Sequence, residues 1–514
     1  MPEWRQGYRS SWAIRGTWTA RGLVVVLALL SVLAVRATVL FFPLRAEVGY
    51  GDSYILYDVQ AFQRTGQIYR DPALPPYLPA QYSPLIYALL SLPGRIVALD
   101  NPFVGPRALV GAAFVGCVAL AFSITRRLMP VPAAGGWALA LMASISTMWQ
   151  WPLQIRADFP AVCCSLAAIR LLLSRSPAAV VWAGIAAGLA AQFKVTFVAA
   201  GVAGMVWLAA GRDWRRLWAF TLAGAATSVG LYAALAMREP RMLAQMLALS
   251  PGVRDVEGAL YLLGSFLSLP AFVLAVVGLL TFSSKINRSW RLVIGFCAVA
   301  LGVGALTSLQ AGANSNYYFE SLFAALPLSV RGLVRLPRLS AWRAFAGLAL
   351  LCLATIGGAP LRAIELLGAT IGPTVAQERD AHASLLAPIL GPRHTLATVP
   401  WVALLDPHPT LMEPYMLSYL GQLGKTNLTP VPSELRARAF DAVFTASTAQ
   451  TWRGVPHINT ELRTAIAEAY APYCVLGAVL AHLPAGHAPD ATSLAVELRG
   501  IGCRPLAPGT APAW

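Results

Sequence analysis

Apolar runs close to 20 residues long recur along this chain from Arg21 to Pro360. A helix rises about 1.5 Å per residue, so such a run is what it takes to cross roughly 30 Å of hydrocarbon. Composition agrees with that reading. The 514 residues are 57% hydrophobic and 12% charged, with a mean hydropathy of +0.60, and soluble domains carry about twice that share of charge. The chain is an all-α polytopic membrane protein by this pattern. Its first run, Gly22 to Phe42, is too long for the apolar core of a cleaved signal peptide and reads as a retained span.

The charges set the topology. Up to Pro360 there are 29 Lys+Arg against 12 Asp+Glu; beyond it there are 10 against 11. The excess of +16 therefore belongs to the loops between spans, where Lys and Arg stay cytoplasmic, and it does not point to nucleic acid. Spans are expected at 106–125, 132–150, 159–174, 178–193, 195–211, 216–236, 259–281, 291–309, 317–330 and 343–360, about eleven with the first. Tyr82 to Leu99 is apolar too, but if it crossed, every later basic loop would be inverted. It is expected to lie along the interface instead. The acids Glu47, Asp52, Asp58, Asp71, Asp158, Glu239, Asp255, Glu257 and Glu320 then gather on the outer face.

Past Pro360 the composition becomes that of a soluble domain. TLATVPWVALLDP, DAVFTAST, CVLGAVLAHL and SLAVELRGI read as strands, and SELRARAF and TELRTAIAEAYAPY as helices. The expected division is a transmembrane module at 1–360, with its first outer loop at 43–105, and a small extracytoplasmic α/β domain at 361–514. All six histidines fall in the second part (His382, His394, His408, His457, His482 and His487), none at a metal-ligand spacing. Asn427-Leu428-Thr429 matches a glycosylation sequon. Cys117, Cys163, Cys164, Cys297 and Cys352 sit in apolar runs as packing residues. Cys474 and Cys503 lie in the outer tail and are the disulfide candidates.

Four stretches could carry chemistry. Asp52 opens a helical pattern whose Ile55, Val59 and Phe62 form one stripe suited to lying on the bilayer. It is either an N-cap or a general base that takes a proton from an attacking hydroxyl, and the two are compatible. Arg156-Ala157-Asp158 places a cation and an acid at the outer end of a span, as a cap with a snorkelling arginine or as site residues. Lys194 interrupts an apolar run of more than thirty residues, so it marks a break between two short spans. A cation at that depth usually faces a partner, and near headgroups a phosphate suits it. In GANSNYYFE, Asn314, Asn316, Tyr317, Tyr318 and Glu320 suit a sugar site, although the tyrosines also suit an aromatic interface belt.

Taken in order, the GDxY…A…G…IY…YSPL pattern of the first outer loop, the R-x-D entering a later span, the apolar run broken by Lys-x-Thr and the late NYYFE resemble the GT-C superfamily of membrane glycosyltransferases. The bacterial relatives of protein O-mannosyltransferases and aminoarabinose transferases are the nearest in pattern. The resemblance covers most of residues 20–330 and more loosely the tail. It implies an inverting sugar transfer from a polyprenyl-phosphate donor to an extracytoplasmic acceptor hydroxyl on a lipid, glycan or protein, at a bacterial plasma membrane. It also implies that Asp52 is the catalytic base, that Arg156 and Lys194 meet the donor phosphate, and that Asp158 is the second acid. Asp58, Tyr317 and Glu320 complete the expected substrate site. Where the family pattern often has two adjacent acids this chain has Asp52-Ser53, so a divalent metal is left open. The alternative reading is a polytopic transporter or lipid flippase, which also places ionisable groups in a membrane cavity.

Overall fold

The computed structural model describes residues 35–45, 47–49, 51–96, 101–130, 150–248, 254–282, 286–310, 312–335, 374, 377–390, 393–404, 410–422, 430–447, 451–452, 455–456, 458–486 and 493–506. Most of the first expected span, the spans at 132–150 and 343–360, the sequon, Cys352, His408, His457 and His487 lie outside the described residues.

Within them the helices run α1 (35–41), α2 (Asp52–Thr65), α3 (Pro84–Ile96), α4 (Val104–Leu128), α5 (Asp158–Leu172), α6 (Pro177–Phe193), α7 (Ala199–Ala210), α8 (Trp214–Arg238), α9 (Met242–Ala248), α10 (Val256–Leu267), α11 (Pro270–Leu280), α12 (Arg288–Thr307) and α13 (Phe319–Arg335). Among the described residues, α4, α8 and α12 are long and apolar enough to cross a bilayer one by one. The expected single span at 259–281 is instead two helices, α10 and α11, bent by 67°. Pro270 at the start of α11 explains the break, since it has no N–H to continue the ladder of α10. Its hydropathy carried no trace of that bend. The helix α3 has 13 residues, or about 20 Å of rise, too short to cross alone.

Small residues let the bundle close tightly. A Cβ at Gly184 of α6 would sit 2.3 Å from the carbonyl oxygen of Phe220, and one at Gly188 would sit 2.6 Å from that of Gly224, both on α8. Backbones this close are the membrane substitute for apolar side-chain interdigitation. Where α5 and α13 begin, Phe159 stacks on Phe319, with ring centroids 5.0–6.5 Å apart among Phe114, Phe159, Phe319 and Phe323.

After α13 comes α14 (377–390) and a mixed sheet with α15 (Pro400–Ala403), α16 (Pro414–Gln422), α17 (Pro430–Arg436), α18 (Thr460–Ala469) and α19 (Ser493–Gly500) around it. The strand order is β2-β1-β3-β7-β6-β8, with β1 (Thr395–Ala397) parallel to β2 (Thr410–Leu411) and β3 (Ala442–Ala446). The hairpin of β6 (Tyr470–Leu476) and β7 (Val479–Pro484) joins antiparallel, as does β8 (Arg504–Pro505). Three expectations are corrected. Among the described residues of the first expected strand only Thr395–Ala397 forms a strand, and Pro400 opens a helix. The helix of TELRTAIAEAYAPY ends at Ala469, and Tyr470 onward is β6. SLAVELRGI is α19, with Leu494, Ala495 and Leu498 buried on one helical face. Cys474 and Cys503 are disulfide-bonded, Cα atoms 5.6 Å apart, tying β6 to the end of α19.

The first outer loop lies between these two bodies. Ile55, Leu56 and Val59 of α2 belong to the core of the helix bundle, whereas Tyr54, Tyr57 and Leu78 belong to that of the C-terminal domain. The stripe of Ile55 and Val59, expected on the bilayer, is therefore covered by protein, at 3% and 1% exposure.

Candidate active site

Gly51 makes the turn that lets α2 begin where it does. Its φ of 97° is open to glycine and strained for any residue with a Cβ. Gly51 is the N-cap, so Asp52 is already the first helical residue and makes no cap bond. Its carboxylate turns back instead. Oδ2 accepts from the N–H groups of Val48 and Gly49 at 3.3 Å each, and Oδ1 from that of Ile155 at 3.2 Å. The capping alternative is thus replaced by a clamp that fixes the loop before α2 to the segment before α5. The Arg156 Nε lies 4.0 Å from Oδ1. Burial raises the proton affinity of Asp52 above the usual carboxylate range, against the opposing charges of Arg156 and Arg107 and the loop N–H groups.

Asp158 repeats the theme at the start of α5. Ala157 is the N-cap and no side-chain cap bond forms. Oδ1 of Asp158 accepts from Lys194 Nζ at 2.8 Å and from Asn316 Nδ2 at 3.0 Å. Lys194 follows the last residue of α6, and its ammonium sits over the Tyr317 ring at 4.4 Å and the Phe197 ring at 5.6 Å. The break expected at Lys194 is present, and a carboxylate and two aromatic faces hold the cation there. Tyr317 is thereby part of the cluster. Tyr318 is fully buried, with its hydroxyl 3.0 Å from that of Ser308 and its ring stacked on Phe266. Tyr318 therefore packs inside the bundle and not at an interface.

Tyr82 closes the group. Its phenol faces the Arg156 guanidinium and lies within the electrostatic reach of Lys194, Asp158 and Tyr317. The turn that carries it is held by the Tyr87 hydroxyl, which accepts from the N–H groups of Gln81 and Tyr82 at 3.1 and 3.2 Å. Asp52, Tyr82, Arg156, Asp158, Lys194, Asn316 and Tyr317 thus come together from five places in the chain. Asp58 and Glu320 do not join them. Asp58 pairs with Arg70 at 2.6 Å on another side of α2, where burial pushes its carboxyl up to about 7. Glu320 is buried against Ser165 and the first N–H groups of α7 at Ala199 and Ala200.

Three residues escaped the sequence. Tyr82 stood inside the YSPL motif but nothing in its spacing announced an arginine partner. Arg107 opened an expected span, yet its Nη1 donates to the carbonyls of Phe41, Phe42 and Leu44, at 3.1, 3.2 and 2.6 Å, and so caps the end of α1. Glu47 approaches Ser53, and burial with the neighbouring Asp52 charge raises its carboxyl to about 7. It supplies a second acid beside Asp52 from five residues upstream. Among the described residues, no group of three or more His, Cys, Asp and Glu is placed to hold a metal ion.

No family model matches the chain, and no curated protein matches it by sequence. Solved structures do. ArnT from Cupriavidus metallidurans bound to undecaprenyl phosphate aligns over 92% of this chain and 99% of its own, with 15% identity and a TM-score of 0.60. Its apo state aligns over 90% and 98%, with 14% identity and a TM-score of 0.59. The Archaeoglobus fulgidus oligosaccharyltransferase in the apo form aligns over 93% and 75%, with 13% identity and a TM-score of 0.51. At these identities the likeness is one of fold. The mostly helical bundle with its small mixed sheet is the fold of these solved structures, in keeping with the resemblance seen in the sequence.

Proposed function

We propose that the chain is an integral-membrane glycosyltransferase that moves a sugar from a polyprenyl-phosphate donor onto an acceptor hydroxyl outside the cytoplasm, with inversion. The observation that carries this reading is the meeting of two carboxylates, Asp52 and Asp158, with two cations, Arg156 and Lys194, at the ends of helices. ArnT, whose fold the chain shares, has been seen with undecaprenyl phosphate bound, which makes a lipid phosphate the natural ligand for such a pair of cations.

The reaction follows from that placement. The acceptor oxygen attacks the anomeric carbon, its proton passes to Asp52, and the bond from that carbon to the phosphate oxygen breaks. Arg156 and Lys194 stabilise the negative charge that grows on the departing phosphate. Burial of Asp52 favours its taking the proton, and its three backbone N–H bonds hold the carboxylate still while it does so. Asp158 keeps Lys194 in place and lines the sugar side. Acceptors of lipid, glycan or protein type all present the same hydroxyl chemistry.

The test is transfer of a labelled sugar from polyprenyl-phosphate sugars by the purified protein in proteoliposomes. Appearance of labelled acceptor supports the reading. Movement of the lipid across the bilayer without sugar transfer would favour the flippase alternative.

A further inference from the structure

Lys194 is presented by a break whose second half has no cap of its own. The helix α6 ends at Phe193, and the N–H of Phe197 donates to the carbonyl of Lys194 at 2.9 Å, closing one turn. The helix α7 then starts at Ala199 with Val198 as its N-cap, a residue with no side-chain oxygen. Ala199 and Ala200 are 0% and 1% exposed, so bulk water does not reach their N–H groups either. Glu320 of α13 faces them. It is 3% exposed, and its carboxyl is turned to the N–H groups of Ala199 and Ala200 and to the Ser165 hydroxyl. Its Oε1 makes no full hydrogen bond to a described residue, so Glu320 acts across a short gap, as an acid at the positive end of α7.

The same segments hold the ammonium. Asn316 and Tyr317, four and three residues before Glu320, bond Asp158 and put a ring 4.4 Å from Lys194 Nζ. Ser165 follows Asp158 by seven residues, two turns along one face of α5. The break is thus met by two polar rungs between α5 and α13: Asp158 with Asn316 at Lys194, and Ser165 with Glu320 at the start of α7. We propose that Glu320 is a positioning residue for donor binding, which anchors the start of α7 and thereby holds the Lys194 ammonium where the donor phosphate arrives. This rests on the sugar-transfer reading above, and it gives Glu320 a part that touches neither sugar nor phosphate. Without the acid, the first turn of α7 is free to fray and the Lys194–Phe197 turn loses its anchor. The ammonium then loses the Phe197 ring, which lies 5.6 Å from it.

The experiment titrates bare undecaprenyl phosphate onto the full-length protein, as wild type and as variants. Lys194→Met should weaken binding about tenfold, the size of one charge-assisted contact. Glu320→Leu should weaken it about fivefold. In the Lys194→Met background Glu320→Leu should add less than about twofold, since it acts through the ammonium. Val198→Asp supplies an acid to the same N–H groups from their own segment, and should return Glu320→Leu to within about twofold of wild type. If Glu320→Leu does not fold, Glu320→Gln carries the same comparisons from a loss of about threefold. Equal losses in both backgrounds, no loss in either, or no rescue by Val198→Asp would overturn the positioning role and leave the donor reading in place. If the bare lipid phosphate fails to bind wild type, or binds Lys194→Met as tightly, the donor reading itself falls, and this inference with it.

Discussion

Asp52 and Asp158 both stand first in their helices, yet each spends its carboxylate on a neighbouring segment. Asp52→Asn keeps an oxygen for the loop N–H groups but cannot take a proton near neutral pH. We expect that variant to fold and bind donor as wild type does, while turnover of a labelled sugar falls about 10²–10⁴-fold. Near wild-type turnover would leave Asp52 as a loop clamp only. Glu47 gives a prediction of opposite character. Its carboxyl titrates near 7 in the folded chain, against an ordinary value of 4.5. Between those values the folded state holds a proton that the unfolded state has released. Stability therefore falls as pH rises from about 4.5 to about 7. Glu47→Gln should flatten that slope, read as the melting temperature of the detergent-solubilised protein across the window. An unchanged slope would mean that Glu47 is ionised throughout. If Asp52 is the base proposed above, its burial should likewise move the acid limb of turnover upward, read from the pH profile of sugar transfer.

Between elements, the Lys194–Asp158 pair is the pin that joins the end of α6 to the start of α5. Removing the cation alone would strand a buried carboxylate, a loss of about 3–5 kcal/mol. Lys194→Met should therefore lower stability as well as donor affinity, whereas Lys194→Met with Asp158→Asn should recover much of the stability and none of the affinity. Recovery of donor binding in the double variant would show that Lys194 acts only on Asp158. The sequence made Lys194 legible because an ion in a long apolar run has few innocent explanations. It made most bundle helices legible for a related reason: membrane crossing writes length and apolarity directly into composition. Asp52 and Asp158 were legible as acids at helix starts, but their partners were not, since Tyr82, Asn316 and the N–H of Ile155 lie far away in sequence. The bend at Pro270 was hidden by unbroken hydropathy. In the C-terminal domain, the short run Ser493–Gly500 fits two periods, and only packing of Leu494 and Leu498 decided for a helix.

At the scale of the whole molecule, the loop that carries α2 and α3 is held from both sides, by the bundle and by the C-terminal domain, although among the described residues none of that domain joins the polar cluster. The Tyr77 hydroxyl donates to Glu434 at 2.5 Å, Gln81 Nε2 to both oxygens of Glu413 at 3.0 and 3.1 Å, and the Tyr54 hydroxyl to the carbonyl of Thr398 at 3.3 Å. Tyr77 also pairs with Met412 as an isolated parallel bridge beside β2. Gln81 precedes Tyr82, which meets Arg156, so the domain's grip reaches the site through one peptide unit. On this view the domain keeps α2 and the Tyr82 turn from loosening away from the bundle. Tyr77→Phe combined with Gln81→Leu removes the contacts to two carboxylates, each contact worth roughly 1.5–3 kcal/mol, and leaves the bundle core untouched. Amide hydrogen exchange across α2 and residues 77–83 should then speed up by about tenfold or more, while protection in α4 and α12 stays as it was. Sugar transfer should fall in the same variant, and Tyr77→Phe alone should lie between it and wild type. If α2 exchanges at the wild-type rate in the double variant, the bundle alone orders the loop. The domain would then be a passenger on the catalytic face.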